Sequence, residues 1–208
     1  MTQSFIEPYK KKFQSILIFG PPGVGKGTLC KFLSGSSTLY HLSSGDIFRG
    51  IDPSSPAGEL VAKYANQGLL LPDDATLDIW NNYVQGLIAT SKYFPKQQYL
   101  LLDGIPRTNA QAKMIEKYVE VKAVIVLEVK DTSELIKRLK GRAVKEKRQD
   151  DADENILKTR LEVYKRDTEQ VLNHYDKDII YRINADQKPL EVVRDTLVSL
   201  CHLLAYAP

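Results

Sequence analysis

Cysteine is scarce in this chain: only Cys30 and Cys201 occur among 208 residues. Two thiols exclude a four-cysteine zinc site and a disulfide framework. Both read as buried free thiols, Cys30 on an early helix and Cys201 on an apolar C-terminal helix. No apolar run approaches the ~18 residues of a membrane span. Residues 1–14 hold no apolar core of signal-peptide length, and Lys10-Lys11-Lys12 reads as a solvated lead-in. These absences lead to the expectation of a cytoplasmic protein in a reducing setting, with no membrane contact. Charge of one sign is also missing. The 29 basic and 26 acidic residues leave a net charge of +3, too mild to point to nucleic acid. The three histidines, His41, His174 and His202, stand in unrelated contexts and read as surface or core residues rather than catalytic ones.

What is present is concentrated near the N-terminus. The apolar run Ser15–Phe19 leads directly into Gly20-Pro21-Pro22-Gly23-Val24-Gly25-Lys26-Gly27-Thr28. Glycines let successive backbone N–H groups turn toward one anion, and the helix opening near Lys26 adds unpaired donors and a positive dipole end. The segment therefore describes a phosphate-binding P-loop. Its Lys26 can reach the outer phosphates, and the Thr28 hydroxyl can approach magnesium.

The rest of the chain alternates strand-length apolar runs with segments of helical period. The predicted strands are 15–20, 39–42, 99–103, 123–129 and 179–184. The predicted helices are 25–34, 73–89, 110–118, 132–142, 153–174 and 189–205. Strands separated by helices imply an α/β fold: a P-loop NTPase-like parallel sheet of about five strands with helices on both faces. Ligands of such sheets gather beyond the carboxyl ends of the strands. Gly20, Ser43, Asp103 and Asp131 fall there. Two stretches break the alternation. Residues 43–72 are rich in proline and glycine, and residues 143–152 are short and charged; neither can hold a core, and both read as flaps. The division is one domain, 1–208, with core 15–42, 73–142 and 153–205, an insert 43–72 and a short lid 143–152. Gly45, Gly68, Gly104 and Gly141 are the candidate hinge or close-approach points.

The P-loop carries Gly27 between Lys26 and Thr28, and this form resembles the nucleoside monophosphate kinases, adenylate kinases especially. Four further blocks, in the family's order, carry the resemblance. They are His41-Leu42-Ser43-Ser44-Gly45-Asp46-Ile47-Phe48-Arg49, then Gly68-Leu69-Leu70-Leu71-Pro72-Asp73, then Leu102-Asp103-Gly104-Ile105-Pro106-Arg107-Thr108 with Gln111, and the lid group Arg138, Arg142, Arg148, Asp150-Asp151 and Arg160. The matched motifs span about residues 15 to 187.

The resemblance implies reversible, magnesium-dependent transfer, ATP plus AMP giving two ADP, by a monomer whose partners are nucleotides. It assigns Gly23, Val24, Gly25, Lys26, Gly27, Thr28, Arg142 and Gln187 to ATP. Ser44, Arg49, Leu69, Leu70, Leu71, Gly104, Arg107, Gln111, Arg148 and Arg160 go to AMP. Lys26, Arg107, Arg138, Arg142, Arg148 and Arg160 surround the transferred phosphoryl. Thr28 and Asp103 serve Mg²⁺, through water or phosphate. Asp150-Asp151 hold the lid arginines. Residue chemistry supports the set independently: phosphoryl transfer needs positioning and charge neutralisation more than base chemistry. A planar guanidinium matches two phosphate oxygens at once, and the amide of Gln111 can both donate to and accept from a base edge.

Thr108 follows the arginine of its block as in adenylate kinases, where pyrimidine monophosphate kinases tend to carry Asn, and this favours AMP over UMP or CMP. Three positions depart from the family pattern: Ser44 for Thr, Ile105 for an aromatic, and Lys147 for Gly. The lid is short and lacks the cysteines of metal-bound lids, so no zinc is expected. Two alternatives remain: a UMP/CMP kinase on the same fold, and a non-catalytic nucleotide-binding module.

Overall fold

Alternate residues of the central strand β1 (Phe13–Phe19) point to opposite faces of the sheet, and both faces are covered. The computed structural model describes residues 8–35, 38–131, 133–146 and 153–205. Leu17 and Phe19 join Leu100, Leu102, Val124 and Val126 beneath Trp80, Val84, Ala112 and Ile115. Ile16 and Ile18 join Leu101, Ile125 and Leu127 beneath Leu29, Cys30, Leu33 and Leu200. Five parallel strands make the sheet: β1, β2 (Leu39–Ser43), β3 (Tyr99–Asp103), β4 (Val119–Glu128) and β5 (Ile180–Asn184), in the order β2-β3-β1-β4-β5. The chain adds strands first on one side of β1 and then on the other. That reversal opens a crevice at the carboxyl end of β1, where the P-loop begins.

The helices are α1 (Lys26–Leu33), α2 (Ser44–Arg49), α3 (Pro56–Ala65), α4 (Asp73–Ala89), α5 (Asn109–Ile115), α6 (Ser133–Glu146), α7 (Glu154–Val163) and α8 (Pro189–Leu204). Local chemistry sets their starts. Ser43, Ser55, Thr108 and Asp153 each accept backbone N–H groups at an N-terminus, and Pro56 occupies the first turn of α3, where its missing donor costs nothing. The two short helices α2 and α3 form residues 43–72, between β2 and α4.

The structure corrects several expectations. Helix 110–118 ends at Ile115, and β4 starts at Val119 rather than residue 123, because Phe13 N–H donates to Tyr118 O at 2.8 Å and draws the chain into the sheet early. Strand β1 likewise starts at Phe13. The helix read over 153–174 is α7 followed by a π turn, Tyr164–Thr168, and 3₁₀ turns, Glu169–His174. The wider π turn changes the helical phase, so that Thr168, Val171 and Leu172 are buried together. Ala143–Glu146, read as the start of the lid, continue α6. Residues 147–152, with Lys147, Arg148 and Asp150-Asp151, lie outside the described residues. Cys30 is buried, but Cys201 is exposed, because it lies on the solvent side of α8. A Cβ at Gly141 would meet nothing within 4 Å outside its own helix backbone among the described residues, so this is an ordinary helix position. Among the described residues, no helix is long and apolar enough to cross a membrane.

Candidate active site

The P-loop leaves β1 at Phe19 and reaches α1 through Gly20, Gly23 and Gly25, all at positive φ. A Cβ at Gly23 would stand 2.9 Å from Leu135 O, so a larger residue would push the loop off α6. Helix α1 has Gly25 at its N-cap and so no side-chain cap, which leaves its first N–H groups available to an anion. Lys26 Nζ donates to Gly20 O at 2.7 Å and to Pro21 O at 3.2 Å, folded back along the loop. Burial pushes its pKa down to about 8, against the attraction of Asp103; the fields of Arg107, Arg160 and Arg142 push the same way as burial. Four cations from four separate parts of the chain, α1, the loop after β3, α6 and α7, thus act at one point.

Asp103 ends β3 beside this loop, with 9% of its surface exposed. Burial acts to raise its carboxyl, but His41, Lys26 and Arg107 outweigh it and hold the group below the usual carboxylate value. His41, expected as a surface or core residue rather than a catalytic one, has its Nε2 3.9 Å from Asp103 Oδ2. The signal was available in the parallel order of the sheet, since His41 lies two residues before the end of the strand that pairs with β3.

The loop after β3 turns on Gly104, at φ +83°. A Cβ there would meet Ser44 Oγ at 2.7 Å and Arg107 Nη2 at 2.8 Å. The Gly104 carbonyl accepts from Ser44 Oγ and from Arg107 Nε, each at 2.7 Å. Arg107 N–H donates to Gln111 Oε1 at 2.7 Å, which commits the oxygen of that buried amide and leaves its NH₂ as the remaining polar group. Thr108 caps α5 and donates to Asp73 Oδ1 at 2.9 Å, joining the loop to the start of α4.

One cleft of about 1070 Å³ collects these groups. Its wall includes Gly23, Val24, Gly25, Lys26, Gly27, Thr28, Arg49, Leu69, Leu70, Leu71, Asp103, Gly104, Arg107, Gln111, Arg138, Arg142, Arg160 and Gln187. The P-loop and Arg107 therefore open on the same side of the molecule. Ser44 lies behind the wall, 1% exposed, with its hydroxyl committed to Gly104. Arg49 pairs with Asp46 on α2. Arg138 is exposed on α6, and Ala185, beside Gln187, adds to the wall beyond β5.

A parallel sheet with a P-loop at its reversal point, facing a second basic pocket across one cleft, defines the class of P-loop nucleotide kinases. The adenylate kinase family profile matches residues 18–180. The chain is 37% identical over 168 residues to an adenylate kinase of Prochlorococcus marinus (strain MIT 9313), covering 78% of this chain and 84% of the relative. It is 39% identical over 166 residues to one of Cyanothece sp. (strain PCC 7425 / ATCC 29141), covering 77% and 80%. To one of Rickettsia bellii (strain RML369-C) it is 34% identical over 208 residues, covering 85% and 94%. The chain belongs to the adenylate kinase family.

Proposed function

We propose that this family member catalyses reversible transfer of the terminal phosphoryl of MgATP to AMP, giving two ADP, as a cytoplasmic monomer. The observation that carries the proposal is the convergence of Lys26, Arg107, Arg142 and Arg160 on one cleft beside Asp103. Two phosphorylated substrates meeting end to end bring many negative charges together. A pure binding module has no use for cations around the point of transfer.

In the forward direction an oxygen of the AMP phosphate attacks the γ-phosphorus of ATP, the bond from that phosphorus to the β–γ bridging oxygen breaks, and ADP leaves. The acceptor phosphate has a second pKa near ~6 and is already largely ionised at neutral pH, so no general base is required. The P-loop N–H groups and Lys26 hold the donor phosphates, and Lys26 must exchange the Gly20 and Pro21 carbonyls for them. Arg107 and Arg49 hold the acceptor phosphate, Arg49 leaving Asp46 to do so. Arg138, Arg142 and Arg160, with Arg148 of the lid, neutralise the migrating group. Arg142 and Gln187 flank the donor base. Gln111 reads the acceptor base through its NH₂, with Leu69, Leu70 and Leu71 as apolar wall, while Ser44 and Gly104 set the loop that aims Arg107.

The residues present fit a magnesium ion. Asp103 is a carboxylate kept ionised at the foot of the P-loop, its Oδ2 standing 4.0 Å from where a Cβ on Gly27 would lie. The Thr28 hydroxyl opens onto the same cleft. Asp103 would hold such an ion through water and Thr28 through its hydroxyl, and the ion would supply neutralisation of phosphate charge. Residues 43–72 and the lid act as closing flaps that expel solvent, since transfer to water would waste ATP.

The test is initial-rate ADP formation from MgATP with AMP, UMP and CMP as acceptors. AMP is expected to be used best. Preference for UMP or CMP would replace the acceptor assignment, and tight ATP binding without turnover on any monophosphate would reduce the protein to a nucleotide-binding module.

A further inference from the structure

A thiol, an imidazole and a carboxylate meet beneath the P-loop: Cys30 of α1, His41 of β2 and Asp103 of β3 hold their ligand atoms within 4.8 Å of one another. The parallel register pairs His41 with Leu101 and Ser43 with Asp103, so His41 and Asp103 are diagonal neighbours on the face that α1 covers. Cys30 points down onto that face and is fully buried. His41 Nε2 is buried with no hydrogen-bond partner among the described residues. Its 3.9 Å separation from Asp103 Oδ2 is too long for a hydrogen bond. Two nitrogen or oxygen ligands of one tetrahedral zinc ion stand roughly 3.3 Å apart, so a small inward movement suffices. A buried ring nitrogen without a hydrogen bond carries a cost; a metal ion would remove it.

We propose that Cys30, His41 and Asp103 form a binding site for a borderline-soft divalent cation, zinc(II) above all, and that its occupation inhibits the kinase. The donor set selects the ion: one sulfur and one imidazole suit zinc or cobalt, whereas magnesium demands oxygen ligands. His41 and Asp103 line the nucleotide cleft, so an ion enters from there and keeps water or a phosphate oxygen in its fourth position. Binding displaces the Cys30 thiol proton to solvent and leaves the thiolate on the metal. The occupied site removes Asp103 from the magnesium waters and fixes a second cation beside Lys26. Inhibition rests on the phosphoryl-transfer reading; the binding itself does not.

The experiment uses the full chain carrying Cys201→Ser, stripped with chelator and titrated with Co²⁺ and then Zn²⁺. One equivalent of Co²⁺ is expected to give intense visible bands of tetrahedral geometry and a thiolate-to-cobalt charge-transfer band. Zinc X-ray absorption is expected to show one sulfur at ~2.3 Å, a readout that needs no variant at Cys30 or His41. In the same background, Cys30→Ala and His41→Gln are each expected to weaken binding by more than about 100-fold, beyond the loss typical of outer-shell changes. Oxygen and nitrogen ligands alone, or affinity unchanged in Cys30→Ala, would overturn the site. In turnover assays with MgATP in excess, Cys30→Ala is expected to keep basal activity and to raise the half-inhibitory Zn²⁺ concentration at least tenfold. Sulfur-ligated zinc with undiminished turnover would overturn the inhibitory half while leaving the site standing.

Discussion

The hydroxyl of Thr168 donates to the main-chain carbonyl of Arg107 at 3.1 Å, across 61 residues of sequence. The π turn after α7 puts Thr168 there. Arg107 is thereby held from three sides, through its carbonyl, its N–H to Gln111 and its Nε to Gly104. Thr168→Val keeps the shape and removes the donor. It is expected to cost about 1 kcal/mol of stability, the typical worth of one such bond, and to raise KM for AMP while leaving KM for ATP unchanged. Urea denaturation and two-substrate kinetics measure the two effects.

Gly104→Ala should injure the acceptor side more severely. Its Cβ would collide with Ser44 Oγ and Arg107 Nη2, and an L-residue at φ +83° costs roughly a further 1–2 kcal/mol. The expected result is a large loss of AMP affinity with ATP affinity retained, read by calorimetric titration with each nucleotide alone.

Lys26→Met and Arg107→Ala are expected to differ. Among the described residues Lys26 bonds only to loop carbonyls, so its loss should leave the melting temperature nearly intact and lower kcat by roughly 100-fold or more, the usual scale for a lost charge-stabilising donor. Arg107→Ala should raise KM for AMP and also lower kcat. Wild-type kinetics in either variant would remove that residue from its assigned role.

Gly68 joins the insert to α7. At φ +70° its missing Cβ would lie 3.0 Å from Ile156 O and 3.1 Å from Arg160 Cγ. Gly68→Ala should therefore part residues 43–72 from the helix that carries Arg160. Faster hydrogen exchange in the insert and slower turnover with saturating substrates are expected; unchanged exchange would show that the contact does not couple the two.

The P-loop, the parallel five-stranded sheet and the arrival of Arg107 at the same cleft were legible because each follows from local signals: glycines before a helix, apolar runs between helices, carboxyl ends of parallel strands. Less was legible where a contact between distant segments decides the outcome. The break in helix 153–174 answers to Thr168 meeting Arg107, which no helical period records. The early start of β4 answers to Phe13 pairing with Val119. His41 gained its meaning only when the register placed it beside Asp103 and beneath Cys30. Cys201 is exposed where burial is expected, because an apolar helix end in sequence does not tell which of its faces the sheet takes.

Competitive calorimetry with two adenosines joined through a chain of phosphates tests the two facing pockets most directly. One molecule is expected to bind per protein, to exclude ATP and AMP together, and to lose affinity in both Lys26→Met and Arg107→Ala. Two molecules bound per protein, or a nucleotide that still binds alongside the bridge, would contradict a single cleft built for transfer between nucleotides.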